Sequence, residues 1–375
     1  MRPAEEKALS FFVLIAIGYA LRPKLHEKSA LAGVRALVLN ALLPAVIFVG
    51  LTNVRLSFAS LGFPLLNAAH IVVQLLAGSL IGRLVLPGAS RANERSTLAL
   101  LSSSFAPGLS AFVFVKEFAP SGMAMGALMD LASKAYLLGL APALMRAAHG
   151  GAPAAKPRSL AEAARRELSE PLSASIVAGL AMSAAGLSVR QLGPLGEAIS
   201  RLEAAQTPIL FLFIGLTVSL DGAAPFTCGS AVLARGGVAQ LFAWCAVRAL
   251  GLVGETALAL VIMLQSACSV VAYAQLEKVA SAISAPRAPS GAAARSGGGG
   301  AVDGEAACAL PLALDLVGYS FPLAIVLNTA AGLLRERYVE LLPALAPGLL
   351  VAAVAVALAG RRTSAGAAKP TGKEL

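Results

Sequence analysis

Residues 98–110 read Leu98-Ala99-Leu100-Leu101-Ser102-Ser103-Ser104-Phe105-Ala106-Pro107-Gly108-Leu109-Ser110 and sit inside an apolar run. A helix in lipid has to pair its backbone groups within itself, or through protein or cavity water where it is interrupted. Pro107 removes an amide donor and its ring clashes with the carbonyl four residues back. Gly108 eases the turn, so the pattern predicts a break at this point. Such a break leaves free N–H groups on one half-helix and free C=O groups on the other, and the N–H end attracts anions. Ser102, Ser103, Ser104 and Ser110 add hydroxyls that re-pair the backbone or meet a ligand. An ordinary proline kink with back-bonded serines is the competing account of the same residues.

Around this stretch the composition decides the class. Of 375 residues, 57% are hydrophobic and only 13% charged, and the mean hydropathy is +0.77. A soluble domain carries roughly 25% charged residues. The apolar residues gather in stretches of the length that spans roughly 30 Å of hydrocarbon. A secreted domain, a cytosolic enzyme and a disordered chain are therefore excluded. The net charge of +10 fits Lys and Arg in loops beside anionic lipid, so membrane lipid and no nucleic acid is the expected partner. Cys228, Cys245, Cys268 and Cys308 show no metal-ligand spacing and read as small apolar residues. No cofactor is implied.

Apolar periodicity and length place helices at about 8–22, 30–52, 59–86, 97–117, 121–145, 171–188, 203–220, 229–250, 254–275, 311–334 and 339–360. The first lacks a basic leader and a small-residue cleavage site, so it is expected to be a true span. Putting the N-terminus outside leaves roughly twice as many Lys and Arg in the inside loops as in the outside segments, which predicts a cytoplasmic C-terminus. The organisation that follows is a first five-helix unit over 1–146 and a cytoplasmic loop over 147–170. A second five-helix unit covers 171–334, interrupted by a Gly-, Ala- and Ser-rich linker at 276–310, and an extra helix and tail cover 335–375. Five helices on each side of a cytoplasmic loop invite an inverted repeat, because an odd number forces opposite orientations.

Four stretches bear a resemblance. Val38-Leu39-Asn40-Ala41-Leu42-Leu43-Pro44-Ala45-Val46-Ile47-Phe48 resembles the second-helix signature of the auxin efflux carrier family, the plant PIN and PIN-like carriers and bacterial permeases. Glu170-Pro171 through Gly179 is similar to the segment opening that family's second half. Ala205-Gln206-Thr207-Pro208-Ile209-Leu210, continuing to Gly215-Leu216, resembles its seventh helix, and Ala111 through Phe118 the end of a crossing helix. The resemblance implies an all-α polytopic fold of five plus five inverted-repeat helices. Helices 4 and 9 would break and cross between a scaffold and a transport bundle. The chain departs from the pattern at Gln265-Ser266-Ala267-Cys268-Ser269, where the family has a Pro, and at Ser102-Ser103-Ser104, where an Asn often occurs. The eleventh span has no counterpart.

The substrate site implied is Asn40 and Pro44 on helix 2, Ser103, Ser104, Pro107 and Gly108 on helix 4, and Gln265, Ser266 and Ser269 on helix 9. Without Pro or Gly, helix 9 need not break, and helix 10, with Ser320-Phe321-Pro322 and Asn328, is its rival. Asp130 and Lys134 stand one turn apart on helix 5, either as a coupling pair or as a structural ion pair. His70 is a packing residue or a proton shuttle. The expected activity is alternating-access transport of a small organic anion, an auxin-like weak acid or a carboxylate. A homodimer is compatible with it. A sodium-coupled bile-acid-type symporter is the nearest alternative. A membrane-embedded enzyme is remote, since there is no HExxH, no GxSxG and no carboxylate pair across helices.

Overall fold

In a computed structural model, residues 3–25, 28–52, 62–88, 91–105, 107–148, 171–217, 224–269, 272–273, 276 and 300–367 are described. Among them every regular element is helical, and seven helices are long and apolar enough to cross a membrane. The chain is an all-α protein whose long apolar helices suit a multi-pass place in a bilayer.

The first five helices are α1 (Pro3–Leu25), α2 (Lys28–Leu37, continuing to Thr52), α3 (Gly62–Val85), the broken α4 and α5 (Met123–Ala135, continuing to Ala148). The α4 halves are α4a (Ala92–Ser102) and α4b (Pro107–Ser110 and Phe112–Phe118). Then follow α6 (Pro171–Ala184), α7 (Pro194–Thr217), α8 (Pro225–Leu250), α9 (Gly254–Leu264), α10 (Gly300–Leu334) and α11 (Glu336–Ala367).

Two prolines are absorbed without ending their helices. In α2 a π turn, Val38–Leu42, lets the Leu43 amide reach back to the Val38 carbonyl. In α5 the turn Tyr136–Leu140 does the same for Ala141 and Tyr136. A proline follows directly in each case, Pro44 or Pro142. Proline cannot donate to the carbonyl four residues back, and widening one turn absorbs its ring without ending the helix.

The boundaries differ from the sequence expectation in two informative places. α7 begins at Pro194, not near 203, so about two and a half turns carrying Glu197 and Arg201 precede the expected start. Gly193, at φ 57, turns the chain and Pro194 opens the helix. Arg201 then reaches Glu197 one turn back at 3.0 Å. α10 begins at Gly300, so the last residues of the expected 276–310 linker are helical. Residues 277–299 of that linker, and 149–170 of the expected cytoplasmic loop, lie outside the described residues.

Packing follows from which face is polar. On α3, Leu76, Leu80 and Leu84 form an exposed stripe, while Asn67, His70 and Gln74 are buried. Apolar surface and polar interior are what lipid solvent selects. α1 packs along α7, and α6 along α2. Gly18 and Gly215 make the first contact close, since a Cβ on Gly215 would strike the Ile15 carbonyl. A second group gathers α3, α4, α5, α8, α9 and α10, and α11 lies against α8 along its length.

Candidate functional site

The break in α4 falls where Pro107 puts it. α4a ends at Ser102, and α4b starts with Pro107 as its first residue, where a missing amide costs nothing. α9 also breaks: its first half ends at Leu264, and residues 266–269 are non-helical. α10 runs unbroken through Pro311 and Pro322. Among the described residues, helix 9 is thus interrupted and helix 10 is continuous.

The two breaks meet through serine hydroxyls. Three successive amides of the α9 break each donate to a serine from elsewhere. Ala267 N–H reaches Ser110 Oγ at 2.8 Å, Cys268 N–H reaches Ser320 Oγ at 2.9 Å, and Ser269 N–H reaches Ser104 Oγ at 3.3 Å. Ser104 and Ser320 pass their own protons to the carbonyls of Leu101 and Val317. A hydroxyl both donates and accepts, so one serine repairs a broken turn and a neighbouring helix together. The N–H groups that an anion would seek at this break are therefore already in use.

Charge comes from a residue the motifs did not mark. Arg235, in the middle of α8, is only 4% exposed. Its Nε donates to the Ser102 carbonyl at 2.9 Å and an Nη to the Ser104 carbonyl at 3.4 Å. Both carbonyls belong to the C-terminal end of α4a, the negative end of that half-helix. The guanidinium also lies over the Phe105 ring, 4.8 Å from its centre. Among the described residues no carboxylate ion-pairs with it. Gln74 donates to the Arg235 carbonyl at 3.0 Å and lies 3.2 Å from His70 Nε2. The His70 ring packs between Phe105 and Phe242, at 4.6 and 4.9 Å.

A second polar path runs beside it through buried groups. Gln240 Nε2 donates to the Tyr338 hydroxyl at 2.9 Å, and that hydroxyl donates to Gln265 Oε1 at 3.2 Å. Gln265 Nε2 donates to Asn328 Oδ1 at 2.9 Å, and Asn328 Nδ2 to the Ser110 carbonyl at 2.7 Å. The path links α8, α11, α9, α10 and α4b.

The residues expected from the sequence divide accordingly. Ser104, Ser269 and Gln265 come together at the breaks. Ser103 turns its hydroxyl to Tyr136, 2.6 Å away on α5. Ser266 is buried at the α9 break, and neither its hydroxyl nor that of Ser102 has a partner among the described residues. Pro107 and Gly108 open α4b. Asn40 is exposed on the π turn of α2 and Pro44 is half-buried. That turn packs on α6 and α7, and no hydrogen bond between described residues ties Asn40 to either break. Asp130 is buried on α5 and Lys134 half-buried.

Ion pairs close the end of the bundle where α1 begins. Lys7 on α1 meets Glu117 on α4b at 3.0 Å, and Lys116 on α4b meets Glu203 on α7 at 2.8 Å. A cavity of about 220 Å³ beside them is lined by Val46, Gly50, Lys116, Met123 and Glu203. At the opposite end a cavity of about 320 Å³ lies between the ends of α3, α8 and α11, where Arg361 donates to the Leu84 carbonyl. No protein-family model matches the chain, and no curated protein matches it.

Proposed function

We propose that the chain is a secondary transporter of the auxin efflux carrier type, moving a small organic anion by alternating access. The observation that carries this reading is Arg235, a buried guanidinium held by carbonyl dipoles where two interrupted helices meet. A buried cation without a carboxylate favours an anionic ligand that completes its neutralisation. Ionisable groups buried in a membrane protein mark substrate paths by default.

The contact pattern supports a five-plus-five inverted repeat. α1 pairs with α7 as α6 pairs with α2, α3 with α5 as α8 with α10, and α4a with α10 as α9 with α5. Each pairing maps onto the other when the halves are exchanged. In that frame α1, α2, α6 and α7 are the scaffold, and α3–α5 with α8–α10 are the moving bundle. The Lys7–Glu117 and Lys116–Glu203 pairs then latch one to the other on the outer side. Arg235 also weighs against the sodium-coupled alternative, because it occupies the carbonyl end of α4a where a cation would be coordinated.

The test is uptake of labelled indole-type weak acids and short dicarboxylates into proteoliposomes, with sodium and with choline in its place. Wild type is expected to take up one of these classes equally in both salts. Arg235→Leu and Pro107→Ala are each expected to lose at least about tenfold in rate, the first for want of the charge and the second by letting α4 run on. Full uptake by the Arg235 variant sinks the site, and sodium-dependent uptake favours the symporter.

A further inference from the structure

Among the described residues Tyr338 is the largest side chain that is fully buried, and it belongs to α11, the helix outside the five-plus-five count. After α10, a left-handed residue, Arg335 at φ 49, reverses the chain. The Tyr338 amide then closes on the Arg335 carbonyl at 3.0 Å. At the third residue of α11, the Tyr338 ring is buried, and its hydroxyl meets side chains of α8 and α9. Its hydroxyl takes the Gln240 amide proton and gives its own to Gln265. A ring placed there for packing alone needs no hydroxyl, and burying one unpaired is costly.

Gln265 is the residue that caps the first half of α9, its own amide bonded to the Val261 carbonyl at 3.2 Å. Its carboxamide is fixed at both ends. The oxygen is held by Tyr338, and the nitrogen is spent on Asn328, which in turn holds the Ser110 carbonyl of α4b. Every hydrogen in this path points one way, so moving the first member releases the rest. Meanwhile α11 is closely packed on α8. A Cβ on Gly237 would press the Ala346 carbonyl and Leu350 at 2.9 Å, and one on Gly360 would press Phe226. α11 therefore rides with the helix that carries both Arg235 and Gln240.

We infer that α11 belongs to the moving transport unit and that Tyr338 is a positioning residue for the substrate, holding the Gln265 carboxamide in register with Arg235 across the two breaks. This rests on the transport reading above. An appended anchor would touch its neighbours through apolar faces alone. Here α11 supplies the polar group that holds the residue capping the first half of α9, and through Asn328 it links that residue to α4b.

The experiment uses the full chain in proteoliposomes, with the organic anion that wild type takes up, and reads KM and maximal rate separately. Tyr338→Phe keeps the ring and loses the hydroxyl; it is expected to raise KM about tenfold and to change the maximal rate by less than about twofold. In a Gln265→Leu background the same change is expected to add less than about twofold, because the hydroxyl then has nothing to position. Gln240→Leu, which frees the hydroxyl from the other side, is expected to raise KM by a smaller factor and serves if Tyr338→Phe does not fold. A KM within twofold of wild type for Tyr338→Phe, or for Gln240→Leu in its place, overturns the proposal, as does a full additional loss in the Gln265→Leu background. Wild type that moves no anion sinks the transport reading and this proposal with it. Wild type that transports while Tyr338→Phe matches it sinks this proposal alone.

Discussion

A guanidinium and an ammonium carry the same charge, but Arg235 uses its shape. Two nitrogens of one planar fork reach the carbonyls of Ser102 and Ser104, while the flat face rests on Phe105. A lysine offers a point charge and cannot hold both carbonyls with the same geometry. Arg235→Lys is therefore expected to keep the fold and some uptake, with KM raised several-fold. Arg235→Leu is expected to lower thermal stability in detergent as well as abolish uptake, since two buried carbonyls lose their donor at about 1–3 kcal/mol each. Equal thermal stability of wild type and both variants would show that the carbonyls find other donors. The sequence already displays this residue, a lone cation inside an apolar run of helix length. Its role is not legible there, because its contacts lie over a hundred residues away. Tyr338 and Gln240 are invisible for a related reason: a buried tyrosine or glutamine in a membrane helix gives no periodic signal until its partner is known.

At the scale of elements, the two breaks differ in origin. In α4 the cause is local, because Pro107 cannot continue a helix, and the sequence shows the break directly. In α9 no residue from 265 to 269 forbids helix. There the open backbone persists because Ser110, Ser320 and Ser104 accept its amides. Long-range causes of this kind leave no mark on the segment they shape. Helix–helix distance, in contrast, is written in small residues. Gly18 and Gly215 bring α1 and α7 into backbone contact, so Gly215→Val is expected to force the pair apart and lower the yield of folded protein in detergent. Gly33→Ala, where a Cβ meets nothing within 4 Å, is the control and is expected to be neutral. Comparable losses in both, by size-exclusion profile, would remove the close crossing as the reason. The start of α7 differs from the hydropathy expectation because Glu197, Arg201 and Glu203 interrupt its first turns, and hydropathy registers apolar runs, not the helices that extend past them.

For the whole molecule, the ion pairs at one end and the polar breaks in the middle divide the work. Lys116, Glu117 and Glu203 are 22–23% exposed at the side chain, so the two pairs are worth about 0–1 kcal/mol each, enough to bias two arrangements without locking one. Replacing Glu117 and Glu203 together by Gln is expected to raise maleimide labelling of a Met123→Cys probe several-fold, since Met123 lines the neighbouring cavity. The probe is read in a background lacking the native cysteines. Unchanged labelling would mean that the pairs do not hold that end shut. The packing of α11 into the centre also has a consequence for synthesis. Gln265 meets the Tyr338 hydroxyl across a separation of 73 residues. At about 5–20 residues per second a ribosome needs roughly 4–15 s to cover that distance. During that interval the first half of α9 sits in or beside the bilayer with its carboxamide oxygen unclaimed by the helix that will hold it. α11, made after α9, completes the polar path, and until it arrives the insertion machinery has to shelter an incomplete site.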